Sequence, residues 1–121
     1  MNARERAAAR IVELFDTPLL RALAEPARLD VLRVLLVDGA SDIAAIAERL
    51  PQDRSVISRH LKTLNDAGVV RSHRDGRRVI YEIDGSRFIG ELEAIVAEAK
   101  ALAPQCCPPA PVRRPARAGT R

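Results

Sequence analysis

Apolar residues recur at helical spacing along most of the chain, and the residues between them mark where each helix begins and ends. Residues 3–15 are mostly good helix formers, which predicts a first helix. Thr17 followed by Pro18 is typical of a helix start, because the hydroxyl can cap the helix and proline suits its first position. The apolar segment that begins at Pro26 predicts a third helix, which should end at Gly39.

Two more helices are predicted close together, at 42–50 and 54–67, with a short turn between them. Ser41 or Asp42 is expected to cap the first, because either side chain can accept a hydrogen bond from the backbone. Gly68 suits the end of the second helix. The apolar positions of the second helix share one face and are Ile57, Leu61 and Leu64. Two helices joined by a tight turn predict a helix-turn-helix.

A β-hairpin is predicted directly after the second of these helices. The β-rich runs Val69–Arg74 and Arg77–Ile83 flank Asp75-Gly76, and Asp-Gly between such runs is a strong hairpin signal. A last helix should follow. This order of elements predicts a winged helix-turn-helix fold, which is mainly α with a small β-hairpin wing.

The last helix is predicted at about 86–102, and Pro104 is expected to end it. The segment beyond is rich in proline and arginine and has too little apolar content to fold alone, so we expect it to be disordered. The sequence therefore divides into a winged-helix domain at 1–103 and a tail at 104–121 that carries both cysteines.

Positive charge is concentrated in the middle of the chain. Residues 54–78 carry seven Lys and Arg against two Asp and Glu, whereas the whole chain has a net charge of +4. This basic block falls on the hairpin tip and on the second helix of the helix-turn-helix, which enters the major groove in such folds. We expect both elements to contact double-stranded DNA. The candidate DNA-binding residues are Arg54, Ser55, Ser58, Arg59, Lys62, Arg74, Arg77 and Arg78.

Composition argues against several other classes of protein. Aromatic residues make up 2% of the chain, too few for binding of single strands or RNA by base stacking. No apolar run approaches the roughly 20 residues of a membrane-spanning helix, and the N-terminus is unlike a signal peptide. We therefore expect a cytoplasmic protein without a membrane partner. No nucleophile–base pair or Gly-rich phosphate loop is present, so we expect no enzyme.

Two segments carry a more specific resemblance. They are LRALAEPARLDVLRVLL and IAAIAERLPQDRSVISRHLKTLNDAGVVRSHRDGRRVIYEI, and they resemble the ArsR/SmtB family of bacterial metalloregulatory repressors. The resemblance covers residues 15–85 and implies a homodimer that releases operator DNA when a metal or metalloid binds. It also implies that the first and last helices form the dimer interface. The DNA-contacting residues that it implies are Arg54, Ser55, Ser58 and Arg59, with Arg77 and Arg78 in the wing.

The chain departs from this family at two metal sites. Many members carry Cys-x-Cys where this chain has residues 42–46, which include no cysteine. Other members bind zinc through Asp and His on the last helix, which here contains no His, so we expect no zinc site of that kind. His60 is expected to pack or to lie near a phosphate, and His73 to be an exposed wing residue; neither is expected to be a ligand.

Cys106 and Cys107 remain as candidate metal ligands. Thiolates select soft, thiophilic ions, and neighbouring cysteines form a strained disulfide with each other. A subset of the ArsR/SmtB family has such a pair just after the last helix, with a third cysteine beyond it, as an arsenite site. The segment AEAKALAPQCCPP is similar but lacks the third cysteine. The resemblance implies release by trivalent arsenic: arsenite with a third ligand from elsewhere, or an organoarsenical that needs only two thiolates.

Other functions stay open at this point. The same repressor could respond to redox or reactive sulfur species through its two thiols, or could have no small-molecule inducer. A winged helix that binds another protein instead of DNA is a third alternative, which predicts no salt-dependent binding to duplex DNA.

Overall fold

The computed structural model describes residues 1–109 and 111, and within them the predicted order of elements is confirmed. Six helices and one hairpin follow each other along the chain. They are α1 (Ala3–Phe15), α2 (Pro18–Leu23), α3 (Pro26–Asp38), α4 (Ile43–Glu48), α5 (Arg54–Asp66), β1 (Val70–Asp75), β2 (Arg78–Ile83) and α6 (Gly85–Cys106). Among the described residues, no helix is both long enough and apolar enough to cross a membrane.

Short polar side chains cap α2 and α4, as the sequence predicts. The Thr17 hydroxyl accepts a hydrogen bond from the backbone N–H of Leu20 at 3.2 Å. Asp42 caps α4, because its carboxylate accepts from the backbone N–H of Ala45 at 2.9 Å. Ser41, the other candidate for this cap, is buried instead and pairs through its backbone with Tyr81 of β2. The two alternatives are thus resolved in favour of Asp42.

The core lies between α2, α3, α4, α5 and the base of the hairpin. α5 supplies the three predicted inward residues, and all of them are fully buried. The largest fully buried side chains are Leu19, Ile46, Ile57, Leu61, Leu64, Val31, Val69 and Val70. α5 is therefore anchored along one face, which leaves its opposite face free for solvent or for a ligand.

Gly68 joins α5 to the hairpin in a conformation that other residues rarely adopt. Its φ is +80°, in the left-handed region that favours glycine after a helix. A Cβ at this position would lie 2.5 Å from Nε of Arg87, in the first turn of α6. The end of α5 and the beginning of α6 are thus in direct contact.

The hairpin turn lies one residue later than the sequence predicts. Asp75 pairs with Arg78 at the end of the ladder, so the two-residue loop is Gly76-Arg77 and not Asp75-Gly76. Gly76 has φ of +65°, and no non-glycine residue of the described chain has a positive φ. A positive φ at the first loop residue alone is the pattern of a type II′ turn, which requires glycine there.

α6 is longer than predicted and continues past Pro104 to Cys106. A proline this close to a helix end removes one hydrogen bond but does not stop the last turn, in which the backbone N–H of Cys107 donates to Ala103 at 2.7 Å. The predicted division at 103/104 therefore falls inside a helix, and Cys106 is helical rather than part of a disordered tail. Of the predicted tail, residues 110 and 112–121 lie outside the described residues.

Candidate nucleic-acid interface and thiol pair

The outward face of α5 carries all five polar residues that the sequence predicts there. They are exposed, and they are Arg54, Ser55, Ser58, Arg59 and Lys62. Their positions follow from helical geometry, because the apolar residues at 57, 61 and 64 are buried and turn the remaining positions outward. α5 thus presents guanidinium groups and hydroxyls together, the groups that pair with base edges and phosphates in a DNA groove.

Asp53 organises the first turn of α5. Its Oδ1 accepts hydrogen bonds from the backbone N–H of Val56 at 3.2 Å and from the Ser55 hydroxyl at 2.8 Å. The Ser55 hydrogen bond is the main reason that the pKa of Asp53 lies below its usual value, with the Val56 N–H next. The hydroxyl proton of Ser55 therefore faces its own helix, and its oxygen lone pairs remain to accept from a base.

The three basic side chains of α5 differ in their partners. Lys62 forms an ion pair with Asp66 at 2.9 Å, one helical turn away. Arg54 and Arg59 form no ion pair with any residue in the part of the chain that the structure describes. These two guanidinium groups can therefore bind an anion without giving up an existing partner.

The wing arginines likewise fall into two groups. Arg74 and Arg77 are exposed and have no ion-pair partner within residues 1–109 and 111. Arg78 donates from Nε to Oδ2 of Asp42 at 2.8 Å, which ties the wing to the beginning of α4. The Ala45 N–H and then Arg78 lower the pKa of Asp42 most strongly. Arg78 thus has a structural partner that sequence reasoning missed.

The thiol pair lies where α6 ends. Cys106 is half-buried and Cys107 exposed, and their Sγ atoms are 3.7 Å apart with no disulfide. Burial, followed by the hydrogen bond to Cys107, raises the pKa of the Cys106 thiol, while the positive charge of Arg4 in α1 acts in the opposite direction. Cys106 is therefore more fully protonated at neutral pH than a free cysteine.

Cys106 and Cys107 are two thiols side by side, without a third candidate metal ligand grouped with them among the described residues. Among the described residues, no group of three or more His, Cys, Asp or Glu side chains is placed to hold a metal ion. A third ligand, where one is needed, would have to come from outside this set.

His60 is half-buried in α5 and His73 exposed in β1.

An exposed apolar surface runs along α6 and α1. α6 has no buried residue, and Ile89 and Val96 are 52% and 51% exposed. Val12 and Phe15 of α1, the helix that packs against α6, are more than half exposed as well. A groove on α6 is lined by Ile89, Leu92, Glu93, Val96, Ala97 and Lys100. Exposed apolar side chains on two adjacent helices are typical of an interaction site.

Proteins of known sequence share these features. The model of a helix-turn-helix domain family matches residues 23–73. The transcriptional regulator CmtR of Mycobacterium tuberculosis is 39% identical over 79 residues, which make up 63% of this chain and 66% of CmtR. The cadmium resistance regulatory protein CadC of Listeria innocua is 30% identical over 83 residues, 65% of this chain and 70% of CadC. The match thus spans about two thirds of the length of these relatives.

Solved structures agree with the sequence relatives. The homodimeric winged helix-turn-helix DNA-binding domain of Mb0332 from Mycobacterium bovis, a possible ArsR-family regulator, matches with a TM-score of 0.55 and 29% identity over 81% of this chain and 88% of that one. A possible transcriptional regulator for arsenical resistance matches with a TM-score of 0.57 and 29% identity over 74% and 97%. CmtR and CadC are transcriptional regulators, and the two proteins of solved structure are possible transcriptional regulators. The chain belongs to the ArsR/SmtB family of winged helix-turn-helix, DNA-binding transcriptional regulators.

Proposed function

We propose that this protein is a repressor that binds double-stranded operator DNA as a homodimer and releases it when a thiophilic ligand binds Cys106 and Cys107. The observation that carries the DNA-binding part is the exposed basic face of α5, together with the exposed arginines at the tip of the wing. Arg54 and Arg59, which form no ion pair among residues 1–109 and 111, lie on this face. Phosphate neutralisation by such groups makes binding fall steeply with salt.

The dimer places one α5 in each of two successive major grooves. Helix-turn-helix dimers bind half-sites about one helical turn, or a multiple of it, apart. Arg54, Ser55 and Ser58 then meet base edges, while Arg59 and Lys62 hold phosphates. Lys62 must exchange its ion pair with Asp66 for a phosphate, which costs little because both side chains are exposed. Arg74 and Arg77 reach the flanking phosphates from the wing.

For the ligand, we favour trivalent arsenic over a divalent cation such as Cd²⁺ or Zn²⁺. The similarity to a possible regulator for arsenical resistance supports arsenic, whereas the similarity to CadC supports cadmium. The chemistry of the thiols adds support for arsenic. A divalent cation must displace the proton of each thiol, and the pKa of Cys106 is raised. Trivalent arsenic carries hydroxide groups, and each leaves as water with the proton of the thiol that replaces it.

The ligand site is continuous with the proposed dimer interface. α6 runs without interruption from Gly85 to Cys106 and also carries the apolar residues at 89 and 96. A ligand that draws Cys106 and Cys107 together changes the last turn of this helix, and so the packing of the two α6 helices. By linkage, operator DNA must weaken ligand binding by the same factor as the ligand weakens DNA binding.

Fluorescence anisotropy of the protein on its own upstream DNA tests this function. The titrants are phenylarsenite, arsenite, Cd²⁺ and Zn²⁺ under reducing conditions, and the comparison is Cys106→Ser/Cys107→Ser. We expect phenylarsenite to release the wild-type protein and not the double variant, which should bind DNA with unchanged affinity. Stronger release by arsenite would show that a third ligand exists. Tight DNA binding that only an oxidant or polysulfide disturbs would replace arsenic by redox sensing.

The two cysteines should also differ in reactivity. Iodoacetamide reacts with the thiolate, so a raised pKa slows alkylation at a given pH. We expect Cys106, left alone in Cys107→Ser, to react more slowly at pH 7.5 than Cys107, left alone in Cys106→Ser. Burial, the main cause of the raised pKa of Cys106, persists in Cys107→Ser. The rate at Cys106 should keep rising at pH values where that of free cysteine has levelled off; a rate–pH profile equal to that of free cysteine, measured by mass spectrometry, would contradict the assignment.

A further inference from the structure

Asp42 connects two parts of the helix-turn-helix domain with a single carboxylate. Its Oδ1 accepts from the backbone N–H of Ala45 at the start of α4, and its Oδ2 accepts from Nε of Arg78 at the start of β2. The two distances are 2.9 and 2.8 Å, and the Asp42 side chain is only 21% exposed. The ion pair is therefore better shielded than most surface pairs, in which solvent weakens the attraction.

A backbone contact lies directly beside this ion pair. Ser41 and Tyr81 exchange two backbone hydrogen bonds, at 2.9 and 2.8 Å. Tyr81 follows Arg78 by three residues, which is about 10 Å along a strand. The segment before α4 thus holds the wing at two points of β2, one near its base and one next to the turn at Gly76-Arg77.

The alternation of side chains along β2 places Arg78, whose side chain is 60% exposed, on the face of the hairpin that Ile80 shares. Ile80 is buried, and Arg78 lies two residues before it on the same face of the hairpin. Arg74 pairs with Val79 and so lies on the opposite face. Arg78 is thus paired with Asp42, whereas the arginines at 74 and 77 have no ion-pair partner among the described residues and are left for phosphate.

Charge alone would give Asp42 the opposite role. It lies close to two arginines of the basic block, Arg78 and Arg54, and both attract its carboxylate. A negative charge at this place repels the DNA backbone, so its removal should strengthen binding if nothing else changes. The electrostatic and the structural contributions of Asp42 therefore have opposite signs, which makes them separable by experiment.

We propose that Asp42 is a positioning residue for DNA binding: through Arg78 it fixes the wing at the angle that brings Arg74 and Arg77 to the phosphates beside the groove that α5 occupies. The proposal rests on the proposed function, since it concerns how tightly the operator is held. It assigns Arg78 to the support of the wing and not to a phosphate.

Asp42→Asn is the variant that tests this role. Asparagine caps helices as well as aspartate does, so the Ala45 hydrogen bond and the thermal stability should be retained. The group facing Arg78 becomes an NH₂, a donor opposite a donor. We expect operator affinity to fall on the order of tenfold. The negative slope of log K against log salt should become less steep by about one or two, because phosphate contacts are lost.

Asp38→Asn is the matched control. Asp38 also forms an ion pair with an arginine, Arg49, at 2.8 Å, and its side chain is 30% exposed. Unlike Arg78, however, Arg49 lies outside the basic block. This variant should bind the operator like the wild type. Arg78→Gln should reproduce the loss caused by Asp42→Asn without touching the helix cap, and the double variant should lose no more than either single one.

The outcomes separate the inference from the function on which it rests. Equal or tighter binding by Asp42→Asn, with an unchanged salt slope, would overturn the positioning role while leaving the repressor intact. An additive loss in the double variant would also overturn it, because Arg78 would then contact phosphate itself. Failure of the wild-type protein to bind duplex DNA would overturn both. Faster amide exchange in β1 and β2 of Asp42→Asn, and not of Asp38→Asn, would support the proposal independently of DNA.

Discussion

Replacing Ile89 and Val96 by glutamate is expected to give a folded monomer that binds its operator at least about a hundredfold more weakly. Both side chains are more than half exposed in a single chain, so their replacement removes no core contact. In a dimer they would be covered. Burying two unpaired carboxylates there would cost more free energy than the contacts of the interface contribute. A monomer holds one half-site and loses the effective concentration that binds the second.

Sedimentation equilibrium and operator binding by anisotropy measure the two effects together. Leu36→Glu is a suitable control, because Leu36 is 64% exposed but lies on α3, away from α1 and α6. The control should remain dimeric and keep its affinity. Circular dichroism should show unchanged helicity in both proteins, since α6 has no buried residue. A double variant that stays dimeric would exclude α6 as the dimer interface.

Arg54→Ala is expected to weaken operator binding about tenfold to hundredfold and to relax the base preference at one position of each half-site. Arg54 is the first residue of α5, where helix-turn-helix proteins contact base edges. It forms no ion pair among the described residues, so no protein partner competes with the base. Arginine donates two hydrogen bonds to guanine, and alanine can supply neither.

The measurement is a selection of randomised duplexes with both proteins, followed by titrations at several salt concentrations. Arg33→Ala removes the same positive charge from an exposed arginine of α3, whose partner is Asp30. We expect this control to keep the wild-type base preference and to change affinity only slightly. If Arg54→Ala shows the same base preference as the wild type, α5 does not read the operator through this residue.

Local patterns predicted most of the fold. The bounds of α1 and the start of α5 match the prediction, because a cap, an apolar stripe and a terminating residue act within a few positions of each other. The hairpin turn was misplaced by one residue. Asp-Gly indicated a turn, but its register is set by the pairing of both strands, in which Asp75 joins the ladder and Arg77 enters the loop.

The candidate site was predicted less completely, because some of its contacts join distant parts of the chain. Lys62 and Asp66 are one helical turn apart, so their ion pair was accessible from spacing alone. Asp42 and Arg78 are 36 residues apart, and no local pattern relates them. Sequence reasoning also ended α6 at Pro104, whereas packing against α1 and continued hydrogen bonding carry it to Cys106.

The contact between Gly68 and Arg87 connects the beginning of α6 with the residue that follows α5. α6 is a single helix of 22 residues, about 33 Å long, with the thiols at one end and Arg87 at the other. Gly68 follows α5 directly, and its missing side chain leaves room for the Arg87 guanidinium. A movement of α6 would therefore change the surroundings of Gly68, and it would also change the core, against which Phe88, Leu92 and Ile95 of α6 pack. Gly68 thus contacts the end of α6 that lies opposite to the cysteines.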